Sequence, residues 1–77
     1  MDLKTEQRED LLHALGVQAP GQRPWRNYYC AEDGAPAMEE LVRLGLMRRS
    51  HTINDGRDRY YIVTQDGAAA VGERLPK

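Results

Sequence analysis

The sequence predicts a small α+β domain of three helices with a C-terminal β-hairpin, and two observations support this prediction. Two leucine-containing segments each end at a glycine, Gly16 and Gly45, and glycine is the residue at which helices most often stop. Residues 54–56 (Asn-Asp-Gly) separate two strand-like segments, and this composition favours a tight hairpin turn. We expect a single domain, residues 1–77, because so short a chain holds one hydrophobic core.

The first helix is expected over residues 5–15. Thr5 is a residue type that can cap the N-terminus of a helix with its side-chain oxygen. Leu11, Leu12 and Leu15 recur at the spacing of one helical face, which we expect to lie against the core.

The second helix is expected to begin at Pro36, because proline suits the first helical position. Met38, Leu41 and Val42 follow the spacing of an apolar helical face. Gly45 is expected to end this helix, as Gly16 ends the first.

The hairpin is predicted from two strands, residues 46–53 and 59–63, on either side of the turn. Thr64 is then expected to cap a last helix that runs to about Arg74. A short third strand is possible near residues 25–30 (Trp-Arg-Asn-Tyr-Tyr-Cys), since tyrosine and cysteine tolerate strands well.

Charge and cysteine content exclude several classes of protein. The net charge is −1, so the whole chain has no bulk attraction for nucleic acid or acidic membrane. Cys30 is the only cysteine, so neither an internal disulfide nor a cysteine-based metal site can form; we expect a structural or half-buried thiol. No apolar run is long enough to span a membrane, and residues 1–10 are too charged for a signal peptide. We therefore expect a cytoplasmic protein without membrane contact.

The sequence contains no recognisable catalytic or cofactor motif. His13 and His51 have no spacing that would build a metal site. Ser50 and His51 are adjacent on a predicted strand, so their side chains should point to opposite faces and cannot work together. We expect no catalytic, metal-binding or cofactor-binding residues, no small-molecule substrate and no enzyme activity.

Residues 41–72 resemble the second half of winged-helix regulators of the MarR and PadR kinds. Those proteins have a helix that ends in Leu-x-x-x-Gly-Leu, a charged hairpin with Asp-Gly-Arg, a strand with Tyr-x-Val-Thr, and then a helix with Gly-x-x-x-Val. The matching residues here are Leu41, Gly45, Leu46, Asp55, Gly56, Arg57, Tyr61, Val63, Thr64, Gly67 and Val71. A looser likeness links the chain to small uncharacterised phage or prophage proteins. The resemblance implies a winged-helix fold and a role in DNA binding and transcription regulation.

The hairpin region is locally basic. Residues 43–63 contain five arginines and two aspartates, a balance of +3, whereas the rest of the chain sums to −4. Arginine is a better ligand than lysine for phosphate and for DNA grooves. The resemblance places Arg57 at the tip of the wing. The alternative is a solvated hairpin whose arginines pair with Asp55 and Asp58. The candidate nucleic-acid contacts are Arg26, Arg43, Arg48, Arg49, Arg57 and Arg59.

Aromatic side chains form a second candidate surface. Strand alternation predicts that each Tyr-Tyr pair, 28–29 and 60–61, points one ring inward and one outward. Exposed rings could contact a partner or stack on bases, whereas the alternative is packing between helix and sheet. The candidate partner contacts are Trp25, Tyr28, Tyr29 and Tyr60.

The sequence therefore leaves two functions open. The first is a winged-helix module that binds double-stranded DNA through the arginines. The second is a winged-helix-like protein-interaction domain that binds another protein or a second copy of itself. The second is favoured by the net charge, by Glu39 and Glu40 on the exposed side of the second helix, and by residues 18–35. That stretch holds two prolines and two glycines where a DNA-binding helix-turn-helix needs its supporting helix.

Overall fold

A computed structural model describes residues 3–19 and 21–76 of the chain. Three helices and one antiparallel sheet confirm the α+β class, and the strand order β1-β3-β2 places β3 in the centre. The predicted C-terminal position of the hairpin was wrong, because α3 follows it. The elements are α1 (Thr5–Leu15), β1 (Tyr28–Glu32), α2 (Pro36–Arg43), β2 (Met47–Ile53), β3 (Asp58–Val63) and α3 (Gln65–Ala70).

The predicted ends of α1 and α2 are confirmed. Gly16 and Gly45 both have φ of +78°, the left-handed conformation that turns the chain off a helix. After Gly16, the backbone N–H of Val17 donates to the carbonyl of Leu12 at 2.9 Å, which satisfies one of the free carbonyls of the last turn. Each glycine thereby directs the chain from a helix toward the sheet.

The predicted cap at Thr5 was wrong by one residue. Thr5 is the first helical residue, and Lys4 occupies the cap position. The side chain of Gln7 reaches back and accepts a hydrogen bond from the Lys4 backbone N–H at 2.9 Å. A glutamine in the first turn therefore satisfies a backbone donor at the helix start, where threonine was expected to act.

The predicted length of α3 was also wrong, because the helix ends at Ala70 rather than near Arg74. Gly72 has φ of +74° and its N–H donates to the Ala69 carbonyl at 3.0 Å. The chain therefore leaves the helix soon after Ala70. The predicted cap is confirmed, since Thr64 Oγ1 accepts from the N–H of Gly67 at 3.0 Å.

The third strand exists, but it covers residues 28–32 instead of 25–30. Trp25 pairs with the end of α1: its backbone N–H donates to the Leu15 carbonyl at 3.0 Å, and its indole N–H donates to the Gly16 carbonyl at 3.1 Å. Because these bonds tie Trp25 to α1, the strand starts three residues later, at Tyr28.

The hairpin turn has the predicted conformation. Asn54, Asp55 and Gly56 all have positive φ, at 53°, 57° and 85°, and the Gly56 N–H donates to the Ile53 carbonyl at 3.1 Å. Asparagine, aspartate and glycine are the residues that adopt this conformation at low cost. The turn brings β2 and β3 together as neighbours.

The hydrophobic core lies between the sheet and the three helices. Helix α1 packs against β1 and β3, α2 packs against β2, and α3 packs against β3 and α1. Tyr61 is the largest fully buried side chain. The buried hydrophobic residues are Leu11, Ala14, Leu15, Met38, Leu41, Leu46, Met47, Tyr61, Val63, Ala68 and Val71.

Candidate binding surface

One side of the sheet carries no helix among the described residues, and we call it the outer sheet face. Its members follow from strand alternation and from the register in which β1 and β2 pair with β3. Each of them is exposed or only partly buried. They are Tyr28, Cys30, Glu32, Arg48, His51, Ile53, Asp58, Tyr60 and Ile62.

The tyrosine pairs alternate as predicted. Tyr61 is fully buried and Tyr29 is half-buried, with its ring centroid 5.0 Å from that of His13 on α1. Tyr28 and Tyr60 point the other way, onto the outer sheet face, and Tyr28 is 40% exposed. Of the four candidate partner contacts, Tyr29 therefore lies on the helix side of β1, away from the other two tyrosines.

Aromatic rings form a continuous row beside and across the outer sheet face. The guanidinium of Arg26 lies 5.0 Å from the ring centroid of Trp25 and 5.5 Å from that of Tyr28. Tyr28 meets Tyr60 edge-on at 5.6 Å, and Tyr60 meets His51 at 5.1 Å. Trp25 is 65% exposed, so the row is presented to solvent rather than packed in the core. We call Trp25, Arg26, Tyr28, Tyr60 and His51 the aromatic row.

The expectation that Ser50 and His51 point to opposite faces was wrong. The register of β2 shifts between Arg49 and Thr52, so two residues of β2 lie where alternation allows one. The Ser50 hydroxyl oxygen comes within 3.4 Å of His51 Nδ1. This bulge joins the two side chains in a shallow hollow of about 230 Å³ lined with Tyr28, Ser50, His51, Tyr60 and Ile62.

Two of the six candidate arginines form ion pairs with α2. Arg43 pairs with Glu40 one turn earlier in the same helix. Arg49 on β2 pairs with Glu39, which links the strand to the helix. Glu39 and Glu40 therefore neutralise two of the arginines that were candidates for contact with nucleic acid.

A third arginine holds the sheet together. Arg59 donates to the carboxylate of Asp33 at 2.6 Å and to the carbonyl of Ser50 at 2.5 Å. Its side chain is only 23% exposed. Arg59 thus joins the end of β1 to the bulge in β2 and leaves little surface for an external ligand.

The hairpin tip is surrounded by carboxylates. Arg57 is exposed, and it lines a hollow with Glu32, Asp33 and Asp58. Its guanidinium donates to the carbonyl of Asn54 at 3.3 Å. The alternative interpretation of the sequence paired the arginines with Asp55 and Asp58, but the ion-paired carboxylates are Glu39 and Glu40 of α2 and Asp33 of the loop before it.

Arg48 and Arg26 lie at the other end of the sheet. Arg48 is exposed and pairs in register with Ile62, the neighbour of Tyr28. Arg26 donates to the His13 carbonyl at 2.7 Å, a contact that leaves its positive charge without a carboxylate among the described residues. This end of the outer sheet face therefore carries two arginines against one carboxylate, Asp66, which lines the same hollow as Arg48. At the hairpin end, Glu32 and Asp58 outnumber Arg57.

Sequence reasoning missed three features of this surface. The first is the ion pair of Asp33 with Arg59, which Asp33 makes from the turn that follows β1. Ile62 was not recognised as outward-facing, although it follows directly on the buried Tyr61. Cys30 was expected to be structural or half-buried, and it is exposed on the outer sheet face. The alternation of side chains along each strand indicates which residues share a face, but it can be applied only when the register of strand pairing is known.

Glu39 joins a small hydrogen-bonded group next to the sheet. Its carboxylate accepts from Arg49 and from the Tyr61 hydroxyl at 2.7 Å, and that hydroxyl accepts from the Gly34 N–H at 3.0 Å. The hydrogen bonds from Arg49 and Tyr61 lower the pKa of Glu39 from 4.5 to about 2. Burial, followed by the bond to Glu39, raises the pKa of Tyr61.

The pKa of Glu39 predicts acid sensitivity. A carboxyl whose pKa is lower in the folded state stabilises the fold above its unfolded pKa, and this contribution is lost as the pH falls through the folded value. Wild type should therefore lose the stability contributed by Glu39 as the pH falls from 4.5 to about 2. Glu39→Gln lacks this contribution at every pH, so its stability should fall less over the same range. Urea unfolding measured across this range checks the prediction.

Glu40→Gln is the matched control, since its ion pair with Arg43 lies on the exposed surface of one helix. We expect the difference in stability between wild type and Glu40→Gln to depend less on pH than the difference between wild type and Glu39→Gln. Parallel stability curves for wild type and Glu39→Gln from pH 6 to about 2 would contradict the assigned role of Glu39.

No known family model, curated protein or solved structure matches the chain. Within residues 3–19 and 21–76, no helix is long and apolar enough to cross a membrane. The same residues contain no cluster of three or more metal-ligating side chains. The outer sheet face is therefore interpreted from its own geometry.

Proposed function

We propose that this chain is a winged-helix-like protein-interaction domain, with the outer sheet face as its binding surface. The observation that carries the proposal is that the arginines of residues 43–63 are mostly matched by carboxylates within the domain. Arg43, Arg49 and Arg59 form ion pairs, and Arg57 lies among three acidic side chains. Binding phosphate would require these contacts to break.

The helices also favour a protein ligand. A helix-turn-helix holds its recognition helix in the major groove with a supporting helix just before it. Residues 16–19 and 21–35 contain no helix, and β1 occupies part of that stretch. Helix α2 has eight residues, about 12 Å, and its ion pair between Glu40 and Arg43 occupies the exposed side.

Nucleic acid is the second candidate, because Arg26 and Arg48 lie beside exposed aromatic rings. Bases can stack on such rings while arginine contacts the phosphates. Under that alternative the domain would act in DNA binding and transcription regulation, as the winged-helix resemblance implies.

A titration separates the two functions. Labelled duplex and single-stranded oligonucleotides are titrated with the protein at about 50 mM salt, where phosphate contacts are strongest. We expect no saturable binding up to about 100 µM protein. Tight binding that weakens steeply with salt and is lost in Arg26→Ala plus Arg48→Ala would overturn the proposal in favour of nucleic acid. Arg8→Ala, on the exposed surface of α1, is the control for a general loss of positive charge.

A further inference from the structure

We propose that the partner of the outer sheet face is a second copy of this chain, in a two-fold symmetric dimer that packs the two faces together. The inference rests on the proposed function and names its ligand. It starts from the distribution of charge, since a symmetric interface must be complementary to itself.

The outer sheet face has charges of opposite sign at its two ends. Arg48 and Arg26 lie at the end where β1 begins, and Glu32 and Asp58 lie at the end next to the hairpin turn. Tyr28, Tyr60 and Ile62 fill much of the area between them. An apolar and aromatic centre within a charged rim is the usual composition of a protein–protein interface.

The charge distribution selects one orientation. A two-fold axis in the plane of the face and across the strands reverses the strand direction in the second copy, and it places the positive end of each copy on the negative end of the other. An axis parallel to the strands would place Arg48 and Arg26 against the same end of the other copy, where like charges repel. The first arrangement stacks each strand on its own counterpart, so it brings Arg48 of β2 near Asp58 of the second copy and Arg26 near Glu32 of the second copy.

The size of the face indicates a weak dimer. Three strands of five to seven residues form a surface roughly 15 Å by 20 Å. With Trp25 and Arg26 included, two copies would bury on the order of 1,000 Å² in total, near the lower limit for a specific interface. We therefore expect a dissociation constant on the order of 100 µM.

The two sheets would form a sandwich with the helices outside. Face-to-face sheets lie about 10 Å apart with their strands within about 30° of one another, which lets side chains of this size interdigitate. Tyr28, Tyr60 and Ile62 would then lose the solvent exposure that they have in the single copy.

Sedimentation equilibrium from about 10 µM to 1 mM protein tests the proposal. Arg48→Glu and Asp58→Arg each place like charges together twice in a symmetric dimer, so each should weaken self-association by at least about tenfold. An equimolar mixture of the two variants should associate as wild type does, because each faulty charge then meets its opposite. Glu9→Arg, an exposed change of the same size on α1, should leave association unchanged.

The reactivity of Cys30 gives an independent measurement. In the dimer this thiol on the outer sheet face is covered, so its alkylation by a maleimide should slow as wild-type concentration rises. The rate in Arg48→Glu should stay constant.

The outcomes separate this inference from the proposed function. A wild type that stays monomeric at 1 mM, or a mixture that does not recover association, overturns the dimer. If no oligonucleotide binds either, the proposed function stands without the dimer. If single-stranded oligonucleotide binds in a salt-dependent way through Arg48, both proposals fail.

Discussion

Replacing Gly67 with alanine is expected to destabilise the domain by about 3 kcal/mol or more, although alanine is intrinsically the better helix residue. A Cβ at this position would collide with the backbone carbonyl oxygen of Leu46, and it would lie 2.9 Å from a methyl carbon of Val63. Gly67 therefore lets α3 lie directly against the backbone of Leu46, the residue before β2.

The carbonyl of Leu46 cannot easily move away. It accepts a hydrogen bond from the Thr64 N–H at 3.1 Å, while the Leu46 N–H donates to the Leu41 carbonyl at 2.9 Å. Leu46 is thus held on both sides, so the added methyl must displace α3 instead. The cost is large for a domain of this size, whose total stability is about 4–12 kcal/mol.

Urea unfolding followed by circular dichroism measures this effect. Ala69→Gly is the matched control, because Ala69 is exposed in the same helix and its replacement should cost only about 0.5–1 kcal/mol. If Gly67→Ala were as stable as wild type, or more stable, the close packing of α3 on Leu46 would be wrong.

Tyr61→Ala is expected to cost about 3–5 kcal/mol, the range for removing a fully buried aromatic side chain. Tyr61 lies on the central strand, and its hydroxyl joins the Gly34 N–H to Glu39. The change therefore opens a cavity and also removes the bond between α2 and the loop before it.

Two further variants separate the contribution of the buried Tyr61 ring from those of its hydroxyl and of the neighbouring ring. Tyr61→Phe keeps the ring and removes only the hydroxyl, so it should cost about 1–2 kcal/mol. The adjacent Tyr60→Ala removes a ring from the outer sheet face and should cost about 1 kcal/mol, because it loses mainly cross-strand contacts. Thermal unfolding of the three variants gives the comparison. Equal costs for Tyr60→Ala and Tyr61→Ala would contradict the assigned direction of the two rings.

The parts of the fold that sequence predicted well depend on backbone chemistry over a few residues. Gly16 and Gly45 end helices because left-handed φ suits glycine, and residues 54–56 form the turn for the same reason. The cap at Thr64 is equally local, since its oxygen reaches the N–H of a residue three positions later. None of these depends on which strands become neighbours.

The parts that sequence missed depend on contacts between distant residues. Arg59 and Asp33 are 26 positions apart, and only the pairing of β1 with β3 brings them together. The bulge next to Ser50 reverses the expected directions of side chains in β2, and no local motif marks it. Five members of the candidate surface were therefore predicted from sequence, namely Trp25, Arg26, Tyr28, Arg48 and Tyr60. The remaining members, and the division of the surface into a positive and a negative end, required the sheet register.

The position of Trp25 determines what the fluorescence of this protein reports. The indole is bound to the carbonyl of Gly16 and stacked against Arg26, outside the buried core. Tryptophan emission therefore follows the junction between α1 and β1, whereas circular dichroism follows the helices and sheet. Agreement between the two signals during unfolding would mean that this junction breaks together with the core, and disagreement would mean that it opens separately.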